Sequence, residues 1–129
     1  MNPVVTTYRV PYADTDQMGV VYYGNYLTYF ERARNELMRA MGYDYKTCES
    51  EGFMLPVVHA EVDYRSPAKY DDVLEISAWV KSQKGVRLEV ACEVRRQGDP
   101  TVLASGYTRH VFVSSRTFRP CPPPARFLA

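Results

Sequence analysis

A chain of 129 residues, 46% hydrophobic and 24% charged, has the size and balance of one soluble globular domain. Sixteen basic against fifteen acidic side chains leave a net charge of +1, which offers no basic field for nucleic acid or an anionic membrane surface. Cys48, Cys92 and Cys121 are too few, and lack the CxxC spacing, for a disulfide framework or a zinc site; no stretch is long enough to span a membrane, and the expectation is a cytoplasmic protein without a leader.

Val4 to Val10 alternates β-branched and aromatic residues and predicts a strand, ended by Pro11. Tyr12–Tyr23 follows as a structured loop. From Tyr26 the period changes to three and four: Tyr26, Tyr29, Phe30, Ala33, Leu37, Met38 and Met41 share one face, with Glu31, Arg32, Arg34, Asn35, Glu36 and Arg39 opposite. That is one long amphipathic helix with Gly42 as its stop. A further turn or two of helix is expected over Tyr45–Glu51, before Gly52.

After Pro56 the period is two. Val58, Ala60, Val62 and Tyr64 alternate with His59, Glu61, Asp63 and Arg65; Leu74, Ile76, Ala78 and Val80 share a face, as do Val86, Leu88, Val90, Cys92 and Val94. Val102 to Val113 is the last strand. Short links at Ser82–Gly85 and Gly98–Pro100 predict antiparallel hairpins. One apolar helix stripe and one antiparallel sheet face imply an α+β fold in which the sheet wraps the helix. The domain is read as 1–116, followed by a Pro-rich tail, 117–129, expected to be extended or disordered.

The loop before the helix concentrates the chemistry. Tyr12 to Tyr29 reads YADTDQMGVVYYGNYLTY: two acids two residues apart, a Met18-Gly19 break, then Gly24-Asn25 opening the helix. A carboxylate is thereby placed beside the free backbone N–H groups of a helix N-terminus, an arrangement suited to reaction at a carbonyl. On the residues alone, an Asp in such a loop is more often an Asx turn or a helix-approach cap. GxSxG, P-loop, Rossmann and HExxH patterns are absent. His59 and His110 stand alone, without the spacing of a metal site, and each reads as a satisfied or exposed histidine.

YADTDQMGVVYYGNYLTYFERAR resembles the opening motif of the hotdog-fold acyl-CoA thioesterases, in the branch containing 4-hydroxybenzoyl-CoA thioesterase and the YbgC-like enzymes. YRSPAKYDDVLEI resembles that family's second strand and its entry into the third. The resemblance runs from about Tyr8 to Val113 and implies a hotdog fold: a long central helix wrapped by a mostly antiparallel five-stranded sheet. It implies acyl-CoA thioester hydrolysis without a cofactor, with Asp16 as the catalytic carboxylate and the amide of Tyr23, and with it that of Gly24, polarising the carbonyl. YbgC-like members carry His where this chain has Tyr23, whereas the hydroxybenzoyl branch carries Tyr. The resemblance also implies a homodimer or homotetramer, which would conceal an open sheet edge.

Thioester hydrolysis builds negative charge on the carbonyl oxygen, and losing one preorganised N–H donor to it typically costs ~3 kcal/mol. The leaving thiol has a reference pKa near ~8.5, so one Asp as base or nucleophile and a helix end suffice. Asp14 is read as structural, holding the loop by hydrogen bonds to its backbone, and Tyr29 and Phe30 as core. Tyr22, Asn25, Tyr26 and His59 are candidates to line the substrate pocket. Arg65, Lys69, Lys84 and Arg87 are the basic candidates for coenzyme A phosphates. Two rival readings carry the same motif: a thioesterase acting on acyl carrier protein, and a non-catalytic acyl-thioester binder.

Overall fold

The computed structural model describes residues 3–128, without the side chains of Arg126 and Leu128. The alternating N-terminal segment forms β1 (Val4–Arg9) and leads through a single 3-10 turn at Tyr12–Asp14 to the long helix α1 (Asn25–Ala40). Gly42, at φ +81°, ends that helix in the left-handed conformation that suits glycine. A short α2 (Tyr45–Ser50) follows, then β2 (Phe53–Met54), β3 (Val57–Tyr64), β4 (Val73–Lys84), β5 (Arg87–Arg96), β6 (Val102–Val111) and β7 (Val113–Ser114). One turn of helix, α3 (Ala125–Leu128), closes the described chain.

Five strands form one sheet in the order β1-β4-β5-β6-β3, every neighbouring pair antiparallel. Across α1, Tyr26, Tyr29, Phe30, Ala33, Leu37 and Met38 are buried. They meet the inward face of β4 and β5, where Leu74, Ile76, Ala78, Leu88, Val90, Cys92 and Val94 are at most 2% exposed. Burying each such side chain is worth about 1.5–3 kcal/mol, so this layer carries most of the fold's stability. The architecture is the α+β hotdog arrangement, a sheet curled around one helix.

Three features differ from the sequence reading. First, the alternation in β3 does not translate into burial: Val58 remains 56% and Tyr64 49% exposed. The reason is position, because β3 is an edge strand and α1 packs over β1, β4 and β5 instead. Second, the last strand is broken at Phe112, whose amide donates to the Val86 carbonyl at 2.8 Å. Val113–Ser114 then pairs with Phe53–Met54 as a separate two-stranded ribbon. Third, the tail is docked. The Cys121 amide donates to the Phe112 carbonyl at 2.9 Å, and Phe127, 8% exposed, packs its ring edge-on against Phe112 and Tyr43. Residues 121–124, which hold three of the tail's prolines, carry no regular secondary structure.

Candidate active site

The segment between β1 and α1 is a small hairpin. The Asp16 amide donates to the Val20 carbonyl at 2.9 Å and the Gly19 amide to the Asp16 carbonyl at 3.0 Å. Gly19 takes φ +79°, which a side chain there would resist. Asp16 Oδ1 accepts the Met18 amide at 2.8 Å, so the carboxylate does close an Asx turn, while its other oxygen has no protein donor among the described residues. The returning limb is tied to the sheet side by Val21, whose amide donates to the Ala68 carbonyl at 2.8 Å.

Asp14 anchors the hairpin to the core. The hydroxyls of Tyr8 and Tyr29 donate to the same oxygen, Oδ2, at 2.8 and 2.7 Å. Its main-chain carbonyl accepts the Tyr22 amide and the Asn25 side-chain amide, both at 2.9 Å. Burial, then the neighbouring Asp14 carboxylate, push the Tyr29 and Tyr8 hydroxyls above the usual tyrosine range. Asp14 is therefore structural as expected, but its side chain does as much of the holding as its backbone. Asn25 belongs to the same clamp, its amide directed at Asp14 rather than into a pocket.

At the helix entry the Asn25 amide donates to the Tyr22 carbonyl at 2.9 Å and the Tyr26 amide to the Tyr23 carbonyl at 3.3 Å. The amides of Tyr23 and Gly24 have no acceptor among the described residues. Two successive N–H groups without an acceptor among the described residues thus stand at the positive end of a sixteen-residue helix. Tyr64, from the end of β3, braces this point: its hydroxyl donates to the Tyr23 carbonyl at 2.9 Å, and its ring lies edge-on to Tyr26 at 5.2 Å.

A cavity of about 270 Å³ opens beside these amides, lined by Val20, Tyr23, Tyr26, Tyr64, Arg65 and Pro67. Of the sequence candidates, Tyr23, Tyr26 and Arg65 are brought together there. Asp16 lies on the same hairpin, opposite Val20, at the turn beyond the cavity wall. Tyr22 is exposed and stacks on Tyr23 with ring centroids 4.6 Å apart. Gly24 caps the helix. Lys69 is adjacent, in a bridge with Val20. Lys84 and Arg87 are not adjacent: they face each other across the β4–β5 turn, at the far end of the sheet. Ten residues of β6 separate the two ends, about 30 Å of strand, so one protomer does not gather the four basic candidates. His59 is on the outer sheet face, bonded to Glu61 at 3.0 Å and beside the Tyr107 ring.

Tyr64 was not singled out from the sequence. Its signal was there, as the one aromatic in the helix-facing set of β3, immediately before Arg65-Ser66-Pro67. Cys48, Cys92 and His110 are buried away from this site. Desolvation pushes the Cys48 thiol up to about 11 and the Cys92 thiol up to about 12, so neither offers a thiolate at neutral pH. His110 is fully buried, its Nδ1–H donating to the Leu55 carbonyl at 3.0 Å and Nε2 accepting from the Thr108 hydroxyl at 2.8 Å. Desolvation lowers its pKa to about 4, which makes it a neutral core histidine.

Comparison with known proteins identifies the family. The family model of the thioesterase-like superfamily matches residues 10–129. The chain is 30% identical over 113 residues to the putative acyl-CoA thioesterase YneP of Bacillus subtilis, covering 87% of this chain and 80% of that protein. It is 30% identical over 119 residues to a 1,4-dihydroxy-2-naphthoyl-CoA hydrolase of Synechococcus elongatus, covering 91% and 86%. A 39% identical match to the acyl-CoA thioester hydrolase YbgC of Escherichia coli covers 62% of this chain and 60% of that protein. Among solved structures, a DHNA-CoA thioesterase from Staphylococcus aureus superposes with a TM-score of 0.89 at 30% identity, over 95% of this chain and 81% of that one. The chain belongs to the thioesterase-like superfamily, in its hotdog-fold acyl-CoA thioesterase branch, and is a thioester hydrolase.

Proposed function

We propose that the protein hydrolyses an acyl-CoA thioester to the free acid and coenzyme A, with Asp16 as the catalytic carboxylate and the amides of Tyr23 and Gly24 as oxyanion donors. The observation that carries the reading is the pair of unpartnered N–H groups at the helix entry, on the hairpin that also holds Asp16. As water, activated by Asp16, or the carboxylate itself adds to the carbonyl carbon, the oxygen takes up negative charge where these donors point. Collapse breaks the carbon–sulfur bond and expels the thiolate, which takes a proton from solvent. In the nucleophilic route a second water then opens the Asp16 anhydride. Asp14, Tyr8 and Tyr29 do no chemistry in this scheme; they hold the hairpin so that carboxylate and amides stay in register.

Coenzyme A enters past Arg65 and Lys69, and Tyr64 orders the wall between helix and strand. A second copy completes the assembly in this proposal. β3 is an edge strand whose Val57 and Val58 are 49% and 56% exposed. Pairing with a second β3 satisfies that edge and covers its apolar side chains. Such a dimer, or a tetramer built from it, also gives Lys84 and Arg87 of one copy a route to the nucleotide bound by another.

The test is thiol release from acetyl-, hexanoyl-, palmitoyl- and 4-hydroxybenzoyl-CoA, alongside the same acyl groups on an acyl carrier protein. Turnover of at least one CoA thioester, faster than its carrier-bound counterpart, is the expected result. Faster turnover on the carrier would move the assignment to a carrier-protein thioesterase. Saturable binding without turnover would make the protein an acyl-thioester binder.

A further inference from the structure

The inward row of β5, Leu88, Val90, Cys92 and Val94, does not end in an apolar side chain. The next residue of that row is Arg96, in register with the buried Leu74 of β4. Its side chain is 29% exposed and turns to the connection between β3 and β4. Nε donates to Asp72 Oδ2 at 2.9 Å, and Nη2 donates to the Pro67 carbonyl at 2.6 Å. One planar guanidinium thus holds both ends of the segment 67–72, and no other described side chain donates to either acceptor. Asp72 extends the hold. The same Oδ2 accepts the Lys69 amide at 2.8 Å, and the Asp72 amide donates to the Lys69 carbonyl at 3.1 Å. The turn so closed keeps Asp71 at φ +69°, a left-handed conformation that a non-glycine residue holds only where its neighbours impose it.

This segment is where the Asp16 hairpin is fastened. The Ala68 carbonyl accepts the Val21 amide at 2.8 Å, and Lys69 bridges to Val20. The Val20 carbonyl in turn accepts the Asp16 amide at 2.9 Å. On its other side the Ala68 amide donates to the Tyr26 hydroxyl at 3.3 Å, in the first turn of α1. Pro67 also lines the cavity beside the Tyr23 amide. The route from Arg96 to Asp16 is therefore a continuous set of hydrogen bonds, through residues 67–72 and then Val20 and Val21. The Asp14 clamp holds the outgoing limb of the hairpin, and Arg96 holds the returning one.

We infer that Arg96 is a positioning residue, which through residues 67–72 fixes the Asp16 hairpin against the helix entry. It thereby sets the separation of carboxylate and amides on which the proposed hydrolysis depends. The inference rests on the reading of Asp16 above, and Arg96 itself touches no reacting atom.

The experiment measures kcat on the best acyl-CoA thioester for wild type, Arg96→Met, Arg96→Lys and Arg95→Met, with folding and oligomer size matched. A misplacement of about 1 Å costs up to about a hundredfold, so Arg96→Met should lose roughly tenfold or more in kcat. Arg96→Lys keeps a charge beside Asp72 but not the fork, and should lose about threefold or more. Arg95 is the control, one residue earlier on the strand, paired with Glu93 at 2.6 Å and donating to the Pro100 carbonyl at 3.2 Å. Arg95→Met should stay within about twofold of wild type. Asp16→Asn removes the group being positioned, so adding Arg96→Met to it should change kcat by less than about twofold.

Wild-type kcat in folded Arg96→Met overturns the inference. So does an equal fractional loss with and without Asp16→Asn, or an equal loss in Arg95→Met, because Arg96 would then serve stability alone. If Arg96→Met does not fold, Arg96→Lys decides: wild-type kcat there overturns the inference. If Asp16→Asn keeps wild-type kcat, or no thioester is turned over, the reading of Asp16 fails separately. Amide exchange then decides Arg96 directly: faster exchange at Asp16, Val21 and Lys69 in Arg96→Met but not in Arg95→Met upholds the fastening, and unchanged exchange overturns it.

Discussion

Removing one hydroxyl from the core tests the Asp14 clamp. Tyr29 is 1% exposed and donates to Asp14 Oδ2 at 2.7 Å, the same oxygen that accepts Tyr8. Tyr29→Phe keeps the ring and its packing but deletes that donor. A hydrogen bond to a charged acceptor is worth about 1.5–3 kcal/mol net. The partly exposed Asp14 retains Tyr8 and some access to water, so the low end applies, about 1.5–2 kcal/mol. With an unfolding entropy of ~2.1 cal/mol/K per residue over 129 residues, that is a fall in Tm of about 6 °C, measured at fixed protein concentration because the assembly is concentration-dependent. A double-mutant cycle with Asp14→Asn should return a coupling of about 1 kcal/mol or more. There is a pH signature as well. The folded Tyr29 hydroxyl titrates above the unfolded value near 10, so its stabilisation is intact below pH 10 and is lost as pH rises further; Tyr29→Phe should flatten that alkaline loss. A Tyr29→Phe protein within about 0.5 kcal/mol of wild type, or an additive cycle, would refute the clamp.

His110 predicts the opposite limb of the pH profile. Its folded pKa of about 4 lies below the ordinary value of ~6.5, so the native state binds fewer protons between these values and stability falls as pH drops through them. The loss approaches roughly 3 kcal/mol by pH 4, and urea midpoints of His110→Gln should show a clearly shallower acid decline; an unchanged decline would exonerate His110. Gly106→Ala places a Cβ against the Glu61 carbonyl and 3.0 Å from Val62 Cα, both backbone. Overpacking of ~1–3 kcal/mol should appear as faster amide exchange confined first to β3, and unaltered β3 protection would count against the close approach. Phe127→Ala should cost about 3 kcal/mol, the low end for a buried phenylalanine, whereas a neutral result would mean that the tail does not dock in solution.

What was legible in the sequence is what local pattern determines. The three-four spacing from Tyr26 to Met38 marked the helix and its buried face, Gly42 and Gly52 marked both helix ends, and period two marked the long strands. The helix-entry loop is local, with Asp14, Asp16, Tyr23 and Gly24 within eleven residues, and Asp14 makes loop-holding hydrogen bonds of the kind its sequence reading expects. What was hidden depends on strand order and chain crossing. Nothing local in Val57–Tyr64 says that it is the edge strand, so the exposure of Val58 and Tyr64 was invisible. Tyr8 and Tyr29 converge on one oxygen only after β1 and α1 are placed. Phe127 looked like part of a proline-rich tail because its partners, Tyr43 and Phe112, come from two distant segments. The basic residues divide for the same reason: Arg65 and Lys84 lie at opposite ends of the sheet.

The central claim is that the Asp16 carboxylate does the chemistry while closing its Asx turn. Asparagine keeps an oxygen for the Met18 amide and so preserves the turn, which separates the two roles. The measurement is kcat of Asp16→Asn against wild type on the best acyl-CoA thioester, with circular dichroism, Tm and oligomer size shown to match. The account predicts a fall of roughly a hundredfold or more, in keeping with loss of a general base or nucleophile, with KM little changed. A matched, folded Asp16→Asn protein that retains wild-type kcat would contradict it.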